Sequence, residues 1–237
     1  MFNNNISLSV IIPVFNESKD CLKYIYKHYA ELKKLKYNFE IIIVDDHSTN
    51  NTYQLIKKNL NNNFKKNIKL IKSKKNYGPG NSIRLGASIA SKENVMWIGA
   101  EDDVDIKQYI RHTNKLSKYE LLIFYIKNNE SRQFSRRLFS FIFTKILNYT
   151  FMLDLPYYNG VILMNRNNFL DLNIKSKRFF FSAEVKILSL KKKYKYINIP
   201  FYLKKNPKPN IRTILNNSNW KDVVFNYLRI LFYYYFK

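Results

Sequence analysis

The chain predicts an α/β protein with a mostly parallel central sheet and flanking helices, and three observations carry that expectation. Apolar runs rich in β-branched residues alternate with stretches whose apolar residues recur at helical spacing. Strands joined through helices form right-handed βαβ units, which make parallel sheets. At 237 residues the chain is long enough for one substantial core. The organisation expected is one domain over 1–203, followed at 204–237 by a basic loop and an amphipathic C-terminal helix.

SLSVIIPVF (7–15) is the first strand and stops at the turn-like Asn16-Glu17-Ser18. Cys21, Tyr24, Ile25, His28 and Leu32 then repeat as one face of a helix. NFEIIIVDD (38–46) is a second buried strand, with Ser48 and Thr49 as candidate caps for the helix bearing Tyr53, Leu55 and Ile56. IKLIKS (68–73) is a third strand, and a Gly-rich turn leads into SIRLGASIA. NVMWIGA (94–100) is a fourth, ending in Glu101-Asp102-Asp103 ahead of a helix over VDIKQYIRHTNKL. The second half is less regular: a strand at 120–127, a long helix at 131–151 and strands at 159–165 and 194–203. That long helix carries an apolar stripe of Phe134, Leu138, Phe141, Ile142 and Tyr149. A further helix lies in FSAEVKILSLKKK, and the tail from Trp220 spaces Val223, Val224, Tyr227, Leu228 and Leu231 helically.

Composition excludes several classes. Hydrophobic residues are 46% and aromatics 16%, so most of the chain folds. Cys21 is the single cysteine, which rules out a disulfide framework within the chain and fits a reducing compartment. The first residues lack the basic region and cleavage site of a signal peptide. Lys145 and Arg229 interrupt the two longest apolar stretches, leaving none suited to span a membrane. The net charge of +24 attracts phosphate-rich partners or an anionic membrane. Abundant Asn, Lys, Ile, Tyr and Phe are also what an A+T-rich coding sequence yields, so the fewer arginines are the more informative cations.

In parallel sheets ligands sit at the carboxyl ends of the strands. Those ends carry Asn16-Glu17, Asp45-Asp46, the Gly78–Gly80 turn and Glu101-Asp102-Asp103, so acids from three strands are expected to converge on one crevice. Gly78 and Gly80 permit positive φ and close backbone approach to an anion at a helix N-terminus, or simply make a tight connection. Asp45 and Asp46 suit either a base or ribose contact or an Asx-turn and cap. The triple acid suits a hard cation such as Mg²⁺ or Mn²⁺, with one aspartate alternatively capping the next helix. Arg132, Arg136 and Ser140 share a helical face beside Arg137, as a phosphate-binding fork or a solvated basic surface.

VIIPVFNES, IIIVDDHSTNNT, NYGPGNSIRLGASIA and the acidic strand end resemble, in order and spacing, the inverting family 2 glycosyltransferases of GT-A (Rossmann-like) fold. The resemblance covers residues 6–105. Beyond it, SRRLFSFIFTKILN, YYNGVILMNRNNF and FFFSAEVKILSLKKKYKYINIP look like the dolichyl-phosphate mannose synthase and polyprenyl-phosphate branch. It implies nucleotide-sugar contacts from Pro13, Phe15, Asn16, Glu17, Asp45 and Asp46. Arg84 matches a phosphate-side position, and Arg136, Arg137 and Ser140 match an Arg-Arg-x-x-Ser phosphate segment. It implies that Asp102 and Asp103 hold Mg²⁺ or Mn²⁺, with Glu101 beside them. Here the chain departs from the usual Asp-x-Asp. Either Ala100 replaces its first residue and Asp102 is its second, or the pair shifts to Glu101 and Asp103. Glu184 matches a general base for a hydroxyl acceptor, or else pairs with a nearby lysine or arginine.

The function so implied is metal-dependent transfer of a sugar from a UDP- or GDP-linked donor to a lipid phosphate or growing glycan, in surface polysaccharide or glycolipid synthesis. The protein is expected in the cytoplasm, peripheral on the inner face of the membrane, with the aromatic tail lying at the interface or packing on the core. Two rivals remain open: a catalytically inactive nucleotide-sugar-binding relative, and a basic nucleic-acid-binding protein. The latter gains nothing from acids at successive strand ends, so no specific nucleic acid is expected.

Overall fold

The computed structural model describes residues 6–34, 38–60, 66–100, 105–204 and 217–236. Seven strands form one sheet in the order β3-β2-β1-β4-β6-β5-β7. They are β1 (Ser7–Val14), β2 (Asn38–Asp45), β3 (Ile68–Lys72), β4 (Asn94–Trp97), β5 (Leu121–Ile126), β6 (Ile162–Asn165) and β7 (Tyr196–Phe201). β1 pairs in parallel with β2 and β4, β2 with β3, and β5 with β7. β6 alone is reversed, antiparallel to both β4 and β5. The predicted α/β class with a mostly parallel sheet holds.

The helices among the described residues are α1 (Asp20–Lys34), α2 (Thr52–Asn59), α3 (Pro79–Ile89), α4 (Lys107–Ile110), α5 (Phe134–Phe151), α6 (Arg166–Leu170), α7 (Phe181–Lys191) and α8 (Asn217–Phe236). Consecutive residues of a strand feed opposite faces of the sheet. Ile11, Ile42, Val44 and Trp97 pack under α3, α5, α7 and α8, together with Ile83, Leu147, Val185 and Ile230. Val10, Ile12, Ile41, Ile43 and Met96 pack under α1, α2 and α4, together with Ile25, Ile56 and Tyr109. Strands buried on both faces read as continuous apolar runs, which is why β1 and β2 were legible. Each such aliphatic side chain contributes about 1.5–3 kcal/mol on burial.

Two expectations need correction, and the packing of the apolar stripes is a further finding. The helix expected over VDIKQYIRHTNKL shrinks to the single turn of α4 and a 3-10 segment, Thr113–Ser117. Ser48 and Thr49 do not cap α2, which starts at Thr52 behind Asn51. The apolar stripe of α5 faces outward: Phe141 is 59% and Tyr149 90% exposed, while Leu147 and Phe151 enter the core. The tail helix α8 likewise turns Val223, Tyr227, Ile230 and Leu231 inward and leaves Val224 and Leu228 exposed. Its inner face belongs to the same core as the residues before 203. The basic loop from Lys205 to Arg212 lies outside the described residues.

Candidate functional site

A cleft of about 470 Å³ opens at the carboxyl ends of β1 and β4. Pro13 and the Trp97–Gly99 segment form its floor. Pro79, Gly80 and Ile83 at the start of α3 make one side, joined by Arg178, Phe179 and Ser182. Arg132, Arg136, Phe139 and Ser140, with Tyr157 and Asn159, make the other. Three guanidinium groups line it, and no described carboxylate does. Among the described residues none of the three forms an ion pair, although Arg178 acts electrostatically on Asp222. The cleft therefore suits an anion, and arginines grip phosphate through paired N–H donors.

The strand ends around the floor are tied together by side chains. Asn16 adopts φ 52, a left-handed conformation that asparagine tolerates. Its Oδ1 accepts from the Thr49 and Asn50 amides at 2.9 and 3.3 Å, and its own amide donates to Ser48 Oγ at 2.9 Å. Ser48 in turn donates from N and Oγ to the two oxygens of Asp45, at 3.1 and 2.5 Å. Asp46 accepts from the Tyr77 and Gly78 amides at 3.0 and 2.7 Å. Both aspartates are buried. Their oxygens thus brace the β1, β2 and Gly-rich loops against one another. The ends of β1 and β2 meet the loop after β3 here, but Asp45 and Asp46 do not line the cleft, and the acids expected at the end of β4 lie outside the described residues. Phe15 and Glu17 sit beside this brace, half-buried, and the Glu17 carbonyl accepts from Thr52 Oγ1 at 3.2 Å.

Of the two readings of the Gly-rich turn, the structure bears out the tight connection rather than the anion cradle. Gly78 has φ 98, and a Cβ there would sit 2.5 Å from the Lys177 carbonyl oxygen. The Gly78 amide is held by Asp46 and the Gly80 amide by Lys177 O at 2.8 Å. Pro79 has no N–H, so the first donors of α3 are engaged within the fold. Gly80 touches the cleft and Gly78 does not.

Two cations move out of the expected site. Arg84, about 100° round α3 from Ile83, lies instead in a separate groove with Asn81, Leu85 and Phe169. The Arg137 guanidinium covers the Phe134 ring at 5.8 Å rather than the cleft. Arg136 and Ser140 do line it. Glu184 is corrected as well: 0% exposed, it accepts from the Lys175 and Ser176 amides at 3.0 and 2.7 Å and pairs with Arg229 at 2.8 Å. A carboxylate so enclosed cannot act as a base in the cleft. Glu101, Asp102 and Asp103 lie outside the described residues, which lead up to them through Gly99 at the cleft floor and the buried Ala100. Elsewhere among the described residues no group of three His, Cys, Asp or Glu stands ready to hold a metal ion. A set of consecutive carboxylates is the oxygen-donor chemistry that Mg²⁺ or Mn²⁺ takes.

Sequence reasoning missed Tyr157, Asn159 and Arg178, which come from irregular segments without a motif. Burial raises the pKa of the Tyr157 hydroxyl, while nearby Arg132 and Arg136 pull it down. Burial also pushes the Lys186 ammonium, behind this wall, down to about 7.

A mostly parallel sheet with β6 reversed, flanked by helices, agrees with the GT-A fold that the resemblance implies. A model of glycosyl transferase family 2 matches residues 9–172, and the chain belongs to that family. The dolichyl-phosphate beta-glucosyltransferase of Dictyostelium discoideum is 30% identical over 124 residues, 49% of this chain and 37% of that protein. The undecaprenyl-phosphate 4-deoxy-4-formamido-L-arabinose transferase of Proteus mirabilis is 29% identical over 94 residues, 40% of this chain and 28% of its own length. The chain thus spans well under half the length of these curated relatives. Glucosyl-3-phosphoglycerate synthase from Mycobacterium tuberculosis, solved with Mg²⁺ and uridine-diphosphate, superposes with a TM-score of 0.71 at 12% identity, over 95% of this chain and 79% of that one.

Proposed function

We propose that the protein transfers a sugar from a nucleotide-diphosphate donor to a polyprenyl-phosphate acceptor, with inversion at the anomeric carbon. The observation that carries this is the cleft lined by Arg132, Arg136 and Arg178 at the strand ends that lead into Glu101–Asp103. The acceptor oxygen attacks C1 from the face opposite the diphosphate. The C1–O bond breaks and its electron pair leaves with the nucleoside diphosphate. Mg²⁺ or Mn²⁺ held by Asp102 and Asp103 would supply charge neutralisation on that leaving group. Arg178, on the α3 side of the cleft, adds fixed positive charge in the same place, while Arg132 and Arg136 on the other side meet the acceptor phosphate. A lipid phosphate is already ionised and needs no general base, which agrees with Glu184 being engaged elsewhere. The dolichyl- and undecaprenyl-phosphate relatives support this acceptor class over a glycan hydroxyl.

The site also adjoins a broad apolar surface. No helix among the described residues is long and apolar enough to cross a membrane. Instead α5, whose first half walls the cleft, exposes Phe134, Leu138, Phe141 and Ile146. α8 lies against it, with Phe139 near Trp220 and Thr150 hydrogen-bonded to Tyr227, and exposes Phe225, Leu228, Phe232 and Phe236. α5 has no acidic residue and α8 only Asp222. Apolar and aromatic side chains among cations are what an anionic bilayer surface accepts. The protein docks peripherally, with the cleft mouth beside its lipid acceptor, on the cytoplasmic face.

The test is a transfer assay with UDP- and GDP-sugars, a short polyprenyl phosphate, and Mn²⁺ or Mg²⁺. Asp102→Ala abolishes metal-dependent product; near-normal turnover in that variant refutes the metal assignment. Donor binding without any transfer by the unaltered protein would leave a nucleotide-sugar-binding relative.

A further inference from the structure

Behind the Tyr157–Asn159 side of the cleft, three backbone carbonyls converge on one buried ammonium. Lys186 Nζ donates to the carbonyl oxygens of Tyr157, Tyr158 and Gly160 at 3.2, 2.8 and 3.1 Å. The side chain is 0% exposed, and among the described residues no carboxylate pairs with it. Glu184, on the same helix, is turned to Arg229 and the Lys175 and Ser176 amides. An ammonium has three donors, and this loop takes all of them. Packing alone does not call for a lysine there, since an apolar side chain of similar volume fills a core position as well. What calls for it is a loop whose carbonyls point inward, away from water.

The loop is fixed from its other sides too. Tyr158 points opposite to its neighbours and donates to Asn148 Oδ1 at 2.9 Å. A Cβ on Gly160 would lie 2.0 Å from the Phe124 carbonyl oxygen, so the chain there runs hard against β5. Tyr157 and Asn159 are left facing the cleft. The Tyr157 ring has Lys186 Nζ at 5.9 Å and the Arg132 guanidinium at 5.8 Å from its centre. Arg132 thus rests on a ring whose backbone Lys186 holds.

We infer that Lys186 is a positioning residue: its ammonium sets the Tyr157–Gly160 loop, and through Tyr157 the Arg132 guanidinium, as the acceptor-side wall of the cleft. The word acceptor rests on the glycosyl transfer proposed above; the loop geometry does not. In that same reading the donor lies at the β1 and β4 end, next to the acids that follow β4, so loosening this wall separates the two substrates.

The experiment uses Lys186→Met in the full chain, which keeps side-chain length and removes charge and donors. Circular dichroism establishes that it folds. Hydrogen exchange over residues 157–161, and calorimetric titration with farnesyl phosphate and with UDP plus Mn²⁺, then compare it with the unaltered protein. Exchange in the loop accelerates while β1 and β2 stay protected. Farnesyl phosphate binding weakens by about 10- to 100-fold, as misplaced contacts do, and UDP binding is unchanged. Unchanged loop exchange, or faster exchange with unchanged farnesyl phosphate affinity, overturns the inference. If the Met variant does not fold, Lys186→Gln, which retains two donors on a shorter stem, takes its place under the same criteria. Should the unaltered protein not bind farnesyl phosphate, the acceptor class fails. Loop exchange and the local environment of Arg132, read by its side-chain NMR signal, still decide the role of Lys186.

Discussion

Arg229 on α8 places a guanidinium nitrogen 2.8 Å from Glu184 Oε1 on α7, and the carboxylate it meets is wholly enclosed. The pair fastens the tail helix to the core from inside, since Arg229 also reaches Ser176 Oγ at 3.2 Å. Removing one partner leaves a buried charge or unmet amides, at a cost of about 2–4 kcal/mol. Glu184→Gln and Arg229→Met are therefore expected to lower the melting temperature clearly. At a temperature where it stays folded, Glu184→Gln retains transfer activity. A catalytic base would show the reverse pattern, with stability kept and turnover lost.

Arg136 and Arg137 are adjacent in sequence and differ in what they face: Arg136 the cleft, Arg137 the Phe134 ring. A charge-assisted hydrogen bond to phosphate is worth about 1.5–3 kcal/mol. Arg136→Ala, and equally Arg178→Ala, should weaken phosphate-bearing ligands by about 10- to 100-fold. Arg137→Ala should leave calorimetric titrations unchanged. Equal losses at 136 and 137 would place the anion on the outer face of α5 instead.

The strands were legible because double-sided burial leaves few polar interruptions, and the spacing of Cys21, Ile25, His28 and Leu32 matches the buried face of α1. Periodicity failed on α5 and α8 because it marks an apolar face without saying what covers it. There the stripes of Phe134 to Tyr149 and of Val224 and Leu228 point outward. In the site, Pro13, Arg136 and Ser140 were found because a motif carries them. Asp45 and Asp46 sit at the expected strand end, yet their oxygens are taken by Ser48 and by the 77–78 amides, which no one-dimensional pattern reveals. Tyr157, Arg178 and Lys186 are brought together only by the packing of irregular segments on α7, so nothing local announces them.

Glu40 gives a pH dependence of defined sign. Burial raises its pKa, but Lys69 at 2.8 Å, the Ser91 amide and Ser9 Oγ outweigh that and hold it at about 2. A carboxylate depressed in the folded state stabilises above its unfolded pKa of about 4.3 and loses that contribution as pH falls toward 2. Chemical denaturation of the unaltered protein should weaken steeply across that window. Glu40→Gln should be less stable at pH 7 by about 1–3 kcal/mol and have a flatter acid limb. Parallel curves for the two proteins would show that Glu40 does not carry this linkage.

The exposed face shared by α5 and α8 predicts vesicle binding that depends on both apolar contact and lipid charge. Phe141 is 59% and Phe225 67% exposed, so Phe141→Glu and Phe225→Glu disturb little of the fold. Each removes apolar area worth about 1.5–3 kcal/mol when fully buried and adds a charge of the wrong sign for an anionic surface. Co-sedimentation with phosphatidylglycerol vesicles should fall by at least about tenfold in the double variant. Phosphatidylcholine vesicles should bind the unaltered protein less than phosphatidylglycerol ones, and added salt should narrow that gap. Sugar transfer to a water-soluble short-chain acceptor should persist in the double variant, because the cleft faces the other side of α5. Undiminished vesicle binding would refute the docking face. A double variant that instead loses self-association in sedimentation velocity would assign the face to contact between two copies of the chain.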